Sequence, residues 1–309
     1  MIAGPSIQSG RTEEVPTRPI LRYHGGKWAL GPWIVQHFPP HRIYVEPYGG
    51  GASALLQKKR AYSEVYNDLS GEIVNVFAMA RDRGADLVRA LQFTPFARSE
   101  YRLSFEPSSD SLEQARRTIV RSFMGFGSNS LCRTVKSGFR ASANRNGTSP
   151  AHDWVHYHEC LEAIVARLQG VVIENRDAFE VMGRQDSEGT LYYCDPPYLH
   201  DTRARGAGRG SRSGYDHEMS RDEHREMGRR LRELRGMVVL SGYASQLYSE
   251  LFPDWPSVET PALADGARKR TERLWFNPAA FERYSRYANP LFGWPQHEMN
   301  AALNANPRD

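Results

Sequence analysis

The run Leu191-Tyr192-Tyr193-Cys194, followed by Asp195-Pro196-Pro197-Tyr198, constrains this chain more than any other stretch. Four apolar residues bounded by turn formers read as a buried strand. Two successive prolines cannot continue a helix or donate to a sheet ladder, so the strand ends there and the backbone beyond it is stiff. A carboxylate, a carbonyl with no competing N–H neighbour and an aromatic face are thereby held at a strand's C-terminal edge. In open α/β sheets that edge is where ligands bind. Two acceptors beside a stacking ring suit a flat base that bears an exocyclic amine.

Other short β-branched or aromatic runs bounded by turn residues read as strands: Ile43–Val45, Glu64–Tyr66, Val171–Glu174, Met237–Leu240 and Arg273–Phe276. Helical periodicity lies between several of them. Ile73, Val76, Phe77 and Ala80 form one apolar face; Leu112, Ala115, Ile119 and Phe123 form another; Leu161, Ile164, Val165 and Leu168 form a third, closed by Gly170. Ser220 with Glu223 is a capping box opening a helix whose stripe is Met227, Leu231 and Leu234. Strand–helix alternation at both ends of the chain predicts an α/β fold with a mostly parallel, doubly wound sheet. The middle breaks the alternation and reads as an inserted, mainly helical subdomain over 76–170, between sheet-forming segments 20–75 and 171–287. The alternative is an ordinary run of crossover helices. Residues 1–19 and 288–309 read as loose tails.

At 309 residues the chain is one large domain, or a domain with a sizeable insertion. No apolar run approaches membrane-spanning length, and the polar start is not a signal peptide. Three cysteines without a C-x-x-C pair argue against a disulfide framework and a zinc ribbon, and predict a reducing, cytoplasmic setting. The net charge of +4 permits nucleic-acid binding without establishing it. The basic charge is mostly arginine, the residue suited to bidentate phosphate and guanine contacts.

Strand Ile43–Val45 runs into Glu46-Pro47-Tyr48-Gly49-Gly50-Gly51 and then a helical segment. Glycines at such a turn let the backbone approach a ligand, and the helix start favours a negative group. Gly25-Gly26-Lys27 is followed by Trp28, so it is not a phosphate-binding P-loop. The second strand ends at Asn67-Asp68, about twenty residues beyond the glycine turn, where nucleoside-binding folds place an acid for ribose hydroxyls. A helix N-cap is the competing role for Asp68, with Ser70 its rival.

Together these segments resemble the Dam-type, alpha-ordered N6-adenine DNA methyltransferases. The resemblance rests on Arg22-Tyr23-His24-Gly25-Gly26-Lys27, Val45-Glu46-Pro47-Tyr48-Gly49-Gly50-Gly51, Asn67-Asp68 and Tyr193-Cys194-Asp195-Pro196-Pro197-Tyr198. Val239-Leu240-Ser241-Gly242 and Arg270-Thr271-Glu272-Arg273-Leu274-Trp275-Phe276 are weaker matches. The segments keep the family's order over about residues 21–277. The resemblance implies a class I methyltransferase fold, a Rossmann-like seven-stranded sheet with an antiparallel final hairpin, and S-adenosyl-L-methionine as cofactor. It places Tyr23 and Lys27 in the cofactor pocket, Glu46, Pro47, Gly49 and Gly51 at the methionine moiety, and Asp68 at the ribose. Asp177 and Ala178 fall at the cofactor's adenine, with Phe179 either packing there or belonging to the core.

The chemistry expected of the tetrad starts from the amine. The adenine N6 lone pair is delocalised, so Asp195 and the Pro196 carbonyl would accept its hydrogens and turn the lone pair toward the methyl donor. The base must first leave the duplex stack, and Tyr198 would then stack on it. Arg203, Arg205, Arg209 and Arg212 form a glycine-rich basic loop suited to clamping phosphates of double-stranded DNA. Arg133, Lys136, Arg140 and Arg145, with Asn144, occupy the target-recognition region. The N-G-L-x-R-x-N pattern of the enterobacterial enzymes is absent there, so the resemblance carries no GATC target. His152, His156 and Cys160 have helical spacing but read as a solvated or partly buried face rather than a metal site. Site-specific DNA adenine N6-methylation, solitary or restriction-linked and requiring neither metal nor membrane, is the expected activity. N4-cytosine methylation, RNA adenine methylation and a non-catalytic DNA-binding module stay open.

Overall fold

The computed structural model describes residues 15–127, 131, 137–141, 149–199, 218–264 and 268–287. Seven strands form one sheet: β1 (Ile43–Glu46), β2 (Ser63–Asn67), β3 (Val171–Glu174), β4 (Thr190–Cys194), β5 (Met237–Tyr243), β6 (Ser257–Ala264) and β7 (Arg268–Phe276). Their order is β3-β2-β1-β4-β5-β7-β6. The first five run parallel, and β7 is antiparallel to both β5 and β6. This is the class I methyltransferase sheet, final hairpin included. The winding direction reverses between β1 and β4, so the crevice over their C-terminal ends is the expected ligand site.

Strand alternation divides the apolar residues between two faces. Tyr44, Tyr66, Leu191 and Tyr193 enter one buried cluster, while Val45, Val65, Tyr192 and Cys194 enter the other. The first cluster is covered by α1 (Gly31–Gln36), α2 (Ser53–Gln57), α3 (Gly71–Asp82), α4 (Gly84–Gln92), α5 (Arg98–Leu103), α6 (Ser111–Met124), α7 (Pro150–Val155) and α8 (Tyr157–Leu168). The second is covered by α9 (Ala178–Arg184), α10 (Arg221–Glu233) and α11 (Gln246–Leu251); α12 (Pro278–Tyr287) returns to the first. No helix among the described residues is long and apolar enough to cross a membrane.

The helical periodicities hold. Ile73, Val76, Phe77 and Ala80 are buried on α3, and the Ser220–Glu223 capping box forms at α10. Gly170 adopts φ +81° just after α8, a left-handed stop that a residue with a Cβ takes only at a cost. Several features differ from the sequence reading. The boundary at residue 76 falls inside α3, whose one buried face spans both sides of it. The helices of the middle segment share their apolar cluster with the sheet. β6 has no counterpart among the expected strands: it is an edge strand with polar and proline positions, and only β7 pairs with it. Residues 15–19 are held rather than loose, because Arg18 pairs with Asp153 at 3.1 Å and lies 5.4 Å from the Phe123 ring centre. α7 and α8 break at His156, so His152 and Cys160 do not share one helix.

Candidate active site

A cavity of about 490 Å³ opens over the C-terminal ends of β1, β2 and β4. Glu46 closes β1 with 2% of its surface exposed. Its Oε2 accepts from the Leu55 amide of α2 at 3.1 Å and from the Tyr44 hydroxyl at 3.2 Å. Burial pushes its carboxyl up to about 8, and these two donors oppose that only partly. A cationic group arriving beside Glu46 would therefore draw a proton off it.

The loops after β1, β2 and β3 are laced together by one buried amide. Asn67 Nδ2 donates to the Pro47 carbonyl at 2.9 Å and the Arg176 carbonyl at 3.1 Å, while its Oδ1 accepts from the Arg176 amide at 2.9 Å. Asp68 adds a second tie, since Oδ2 accepts from the Gly50 amide and Oδ1 from the Ser70 amide, both at 2.8 Å. Ser70, not Asp68, holds the N-cap position of α3.

The glycine turn owes its composition to packing as well as to ligand approach. A Cβ at Gly49 would sit 2.1 Å from the Tyr66 ring, and one at Gly50, where φ is +46°, 2.8 Å from the Tyr23 ring. Ala52 follows with φ +52°, the sole non-glycine residue with positive φ among the described residues. That conformation costs roughly 1–2 kcal/mol for a residue with a Cβ. The strain sits where the turn passes into α2.

At the end of β4 the tetrad forms a charged knot. Lys27 Nζ lies 3.1 and 3.2 Å from the two Asp195 oxygens, 3.3 Å from the Gly25 carbonyl and 3.8 Å from Glu272 Oε1. Glu272, on β7, is 1% exposed, and its Oε1 accepts from the Tyr198 hydroxyl at 2.5 Å and from Ser241 Oγ at 2.8 Å. Burial raises the Glu272 carboxyl against the pull of Lys27. One buried ammonium thus fixes the tetrad carboxylate to the far hairpin of the sheet.

Of the cofactor residues expected from sequence, Tyr23, Lys27, Glu46, Pro47, Gly49, Gly51, Asp68, Asp177, Ala178 and Asp195 all line this one cavity. Asp177 also caps α9, accepting from the Phe179 and Glu180 amides at 2.9 and 3.3 Å. Pro197 lines the cavity; Pro196 and Tyr198 are buried and do not. Tyr198, expected to stack on the target base, is packed against neighbours within this chain. It is 7% exposed, with Lys27 Nζ 4.3 Å from its ring centre and the Tyr243 ring at 4.6 Å. A base stacking on this ring would have to displace one of those neighbours.

Among the expected DNA contacts only Arg140 lies in the described residues, where its Nη1 donates to the Phe123 carbonyl at 3.1 Å. Arg133, Lys136, Arg145, Arg203, Arg205, Arg209 and Arg212 lie outside them. Several acids of the site are not marked by the sequence, Glu272 and Glu72 among them. Glu272 stands in the Arg270–Phe276 match, which gives it no role. Glu72, in the first turn of α3, lines the cavity with its Oε1 accepting from Arg121 (2.6 Å), Thr118 (2.8 Å) and Gln114 (2.9 Å) of α6. Its signal is tertiary: no local pattern announces three donors from another helix. The described lining holds eight carboxylate side chains against one lysine and one arginine, a composition suited to a ligand carrying positive charge.

The model of the D12 class N6 adenine-specific DNA methyltransferases matches residues 23–253. The chain is 25% identical over 273 residues to the type II methyltransferase M1.LlaDCHI of Lactococcus lactis subsp. cremoris, covering 84% of this chain and 93% of that protein. It is 24% identical over 192 residues to the DNA adenine methylase of Escherichia coli K12, covering 59% of this chain and 65% of that relative. The DNA adenine methylase of Vibrio cholerae O395 is 25% identical over a span of the same extent.

Proposed function

Since this chain belongs to the D12 class of N6 adenine-specific DNA methyltransferases, we propose that it methylates the N6 amine of an adenine flipped out of duplex DNA, with S-adenosylmethionine as donor. The observation that carries the reading is the convergence of Glu46, Asp68 and Asp195 on one acid-rich cavity at the switch point of the sheet. The donor set fits the cofactor. Glu46 would take the methionine ammonium, amides of the glycine turn its carboxylate, and Asp68 the ribose hydroxyls, while Asp177 and Ala178 border the adenine. The Gly50 amide is already given to Asp68 and the Gly49 amide to the Asn67 carbonyl, which leaves the Gly51 amide of that turn for the carboxylate. Bound there, the cofactor supplies a methyl group on a sulfonium sulfur.

The chain's own residues position the acceptor. Asp195 and the Pro196 carbonyl take the hydrogens of the target amine, so its lone pair is freed from the ring and aimed across the cavity. Lys27 holds the Asp195 carboxylate at a fixed angle, and Glu272 anchors the lysine and the Tyr198 hydroxyl behind it. Catalysis is then mainly orientation and electrostatics. Asp195 need not remove a proton before attack; the surplus proton leaves the methylated amine afterwards through this carboxylate or water.

The test is incubation of the purified protein with labelled S-adenosylmethionine and duplex DNA, followed by digestion to nucleosides and sequencing. N6-methyladenine in a fixed context is the expected product. N4-methylcytosine, label in RNA alone, or cofactor binding without transfer would each overturn it.

A further inference from the structure

A second cavity, of about 500 Å³, lies beside the end of the tetrad. Its floor includes Leu199, the residue that follows the tetrad, and Tyr243, whose ring is 4.6 Å from that of Tyr198. Arg270 and Thr271 of β7 form one wall, and Arg221, the first residue of α10, forms another. No carboxylate is among the described lining residues, in contrast to the cavity over β1 and β4. Arg270 has no ion-pair partner among the described residues, and its guanidinium lies 5.6 Å from the Tyr243 ring centre. A guanidinium braced on a ring, its fork not committed to a carboxylate, matches a phosphate's geometry.

We propose that this cleft holds the sugar–phosphate backbone of the target strand beside the flipped nucleotide, with Arg270 and Arg221 gripping phosphate and the Thr271 hydroxyl supporting them. The proposal rests on the DNA-methylating reading above and adds the surface that delivers the base. Three observations favour a DNA backbone over a small acidic ligand. The cleft's lining is drawn from separate elements, β7, the start of α10 and the end of β5, and it touches the tetrad through Leu199 and Tyr243. Its basic lining also inverts the charge of the acid-rich cavity. A polyanion bound here places its bases toward Asp195 while its phosphates stay clear of the carboxylates around the cofactor.

The test compares wild type with Arg221→Gln, Arg270→Gln and the double variant, using a fluorescent duplex that carries the mapped methylation site. Each arginine that neutralises a phosphate contributes about 0.9 to the slope of log affinity against log salt. The double variant is expected to flatten that slope by about 2 and to raise the KM for DNA, with cofactor affinity by calorimetry unchanged. Arg270→Lys, which keeps the charge, should keep the slope while weakening binding at one salt concentration. An unaltered slope in a double variant that still binds cofactor would overturn the proposal and leave the methylating function standing. A thermal shift with inorganic phosphate that vanishes in Arg270→Gln, alongside an unaltered DNA slope, would make this a free-anion site and overturn it too. Wild-type protein that binds cofactor but no DNA would defeat the cleft and the function together.

Discussion

The acid-rich cavity and the cleft beside the tetrad are of similar size and opposite charge. One gathers carboxylates at the ends of parallel strands; the other gathers arginines from the antiparallel hairpin and the start of α10. On the proposed reading, the contrast lets one sheet keep a cationic cofactor and a polyanionic substrate apart yet within reach of a single carboxylate. Asp195 stands at the boundary, and Lys27 and Glu272 fix it there. Electrostatic complementarity of this kind sorts ligands more than it adds affinity.

If the boundary is drawn correctly, Asp195→Ala has the largest effect. Methyl transfer should fall by at least about a thousandfold, the scale of losing a preorganised group at the reacting centre. Affinity for cofactor and for DNA should each change little, measured by calorimetry and anisotropy. Residual transfer near wild type would remove Asp195 from the boundary.

Lys27→Met comes next. It leaves Asp195 and Glu272 facing each other without their shared cation, and kcat should drop by about a hundredfold. Lys27 pulls the Glu272 carboxyl down, so without it the acidic limb of the kcat profile should move to higher pH. An unmoved limb would show that the lysine only packs.

Glu46 sharpens the cofactor side. With its carboxyl at about 8 in the free protein, it carries a proton at neutral pH that a cationic ligand must expel. Cofactor affinity should therefore rise between pH 6 and 8, by at most about tenfold per unit for one released proton. Proton release is measurable by calorimetry in buffers of different ionisation heat. Glu46→Gln should lose the slope while leaving the salt dependence of DNA binding intact, the reverse of the Arg221 and Arg270 variants. If both variants altered both readouts, the two cavities would be one site.

The smallest effect is expected at Ala52. Replacement by glycine relieves the positive φ but adds chain entropy to the unfolded state, for a net gain within about 1 kcal/mol. A thermal melt should show a slightly raised Tm; a lowered one would mean that the methyl group's packing outweighs the strain.

Much of the fold and of the site is legible in the sequence, because the signals are local. Paired prolines end a strand wherever it lies, and glycines at a strand-to-helix turn mark a tight corner. Short β-branched or aromatic runs bounded by turn residues name six of the seven strands, and period-3.6 patterns name the buried faces of α3, α6, α8 and α10. Ten residues chosen for the cofactor from Tyr23 to Asp195 meet in one cavity; all but Tyr23 and Lys27, which precede α1, sit at or just beyond a strand end in a parallel sheet. The edge strand β6 escapes because its proline and its single pairing partner leave little alternation to read.

What the sequence determined by itself was the winding of the sheet, the place of the crevice and the chemistry of its acids, since these depend on neighbours along the chain. The tertiary structure alone decided the partners of those groups. Lys27 reaches Asp195 across 168 positions and Glu272 receives the Tyr198 hydroxyl across 74, distances over which no periodicity carries information. Burial, which raises Glu46 and Glu272, is likewise a property of the assembled core. So too is the opposition of an acidic and a basic cavity: the basic one arises only when β7 folds back beside β5 and sets Arg270 against Tyr243.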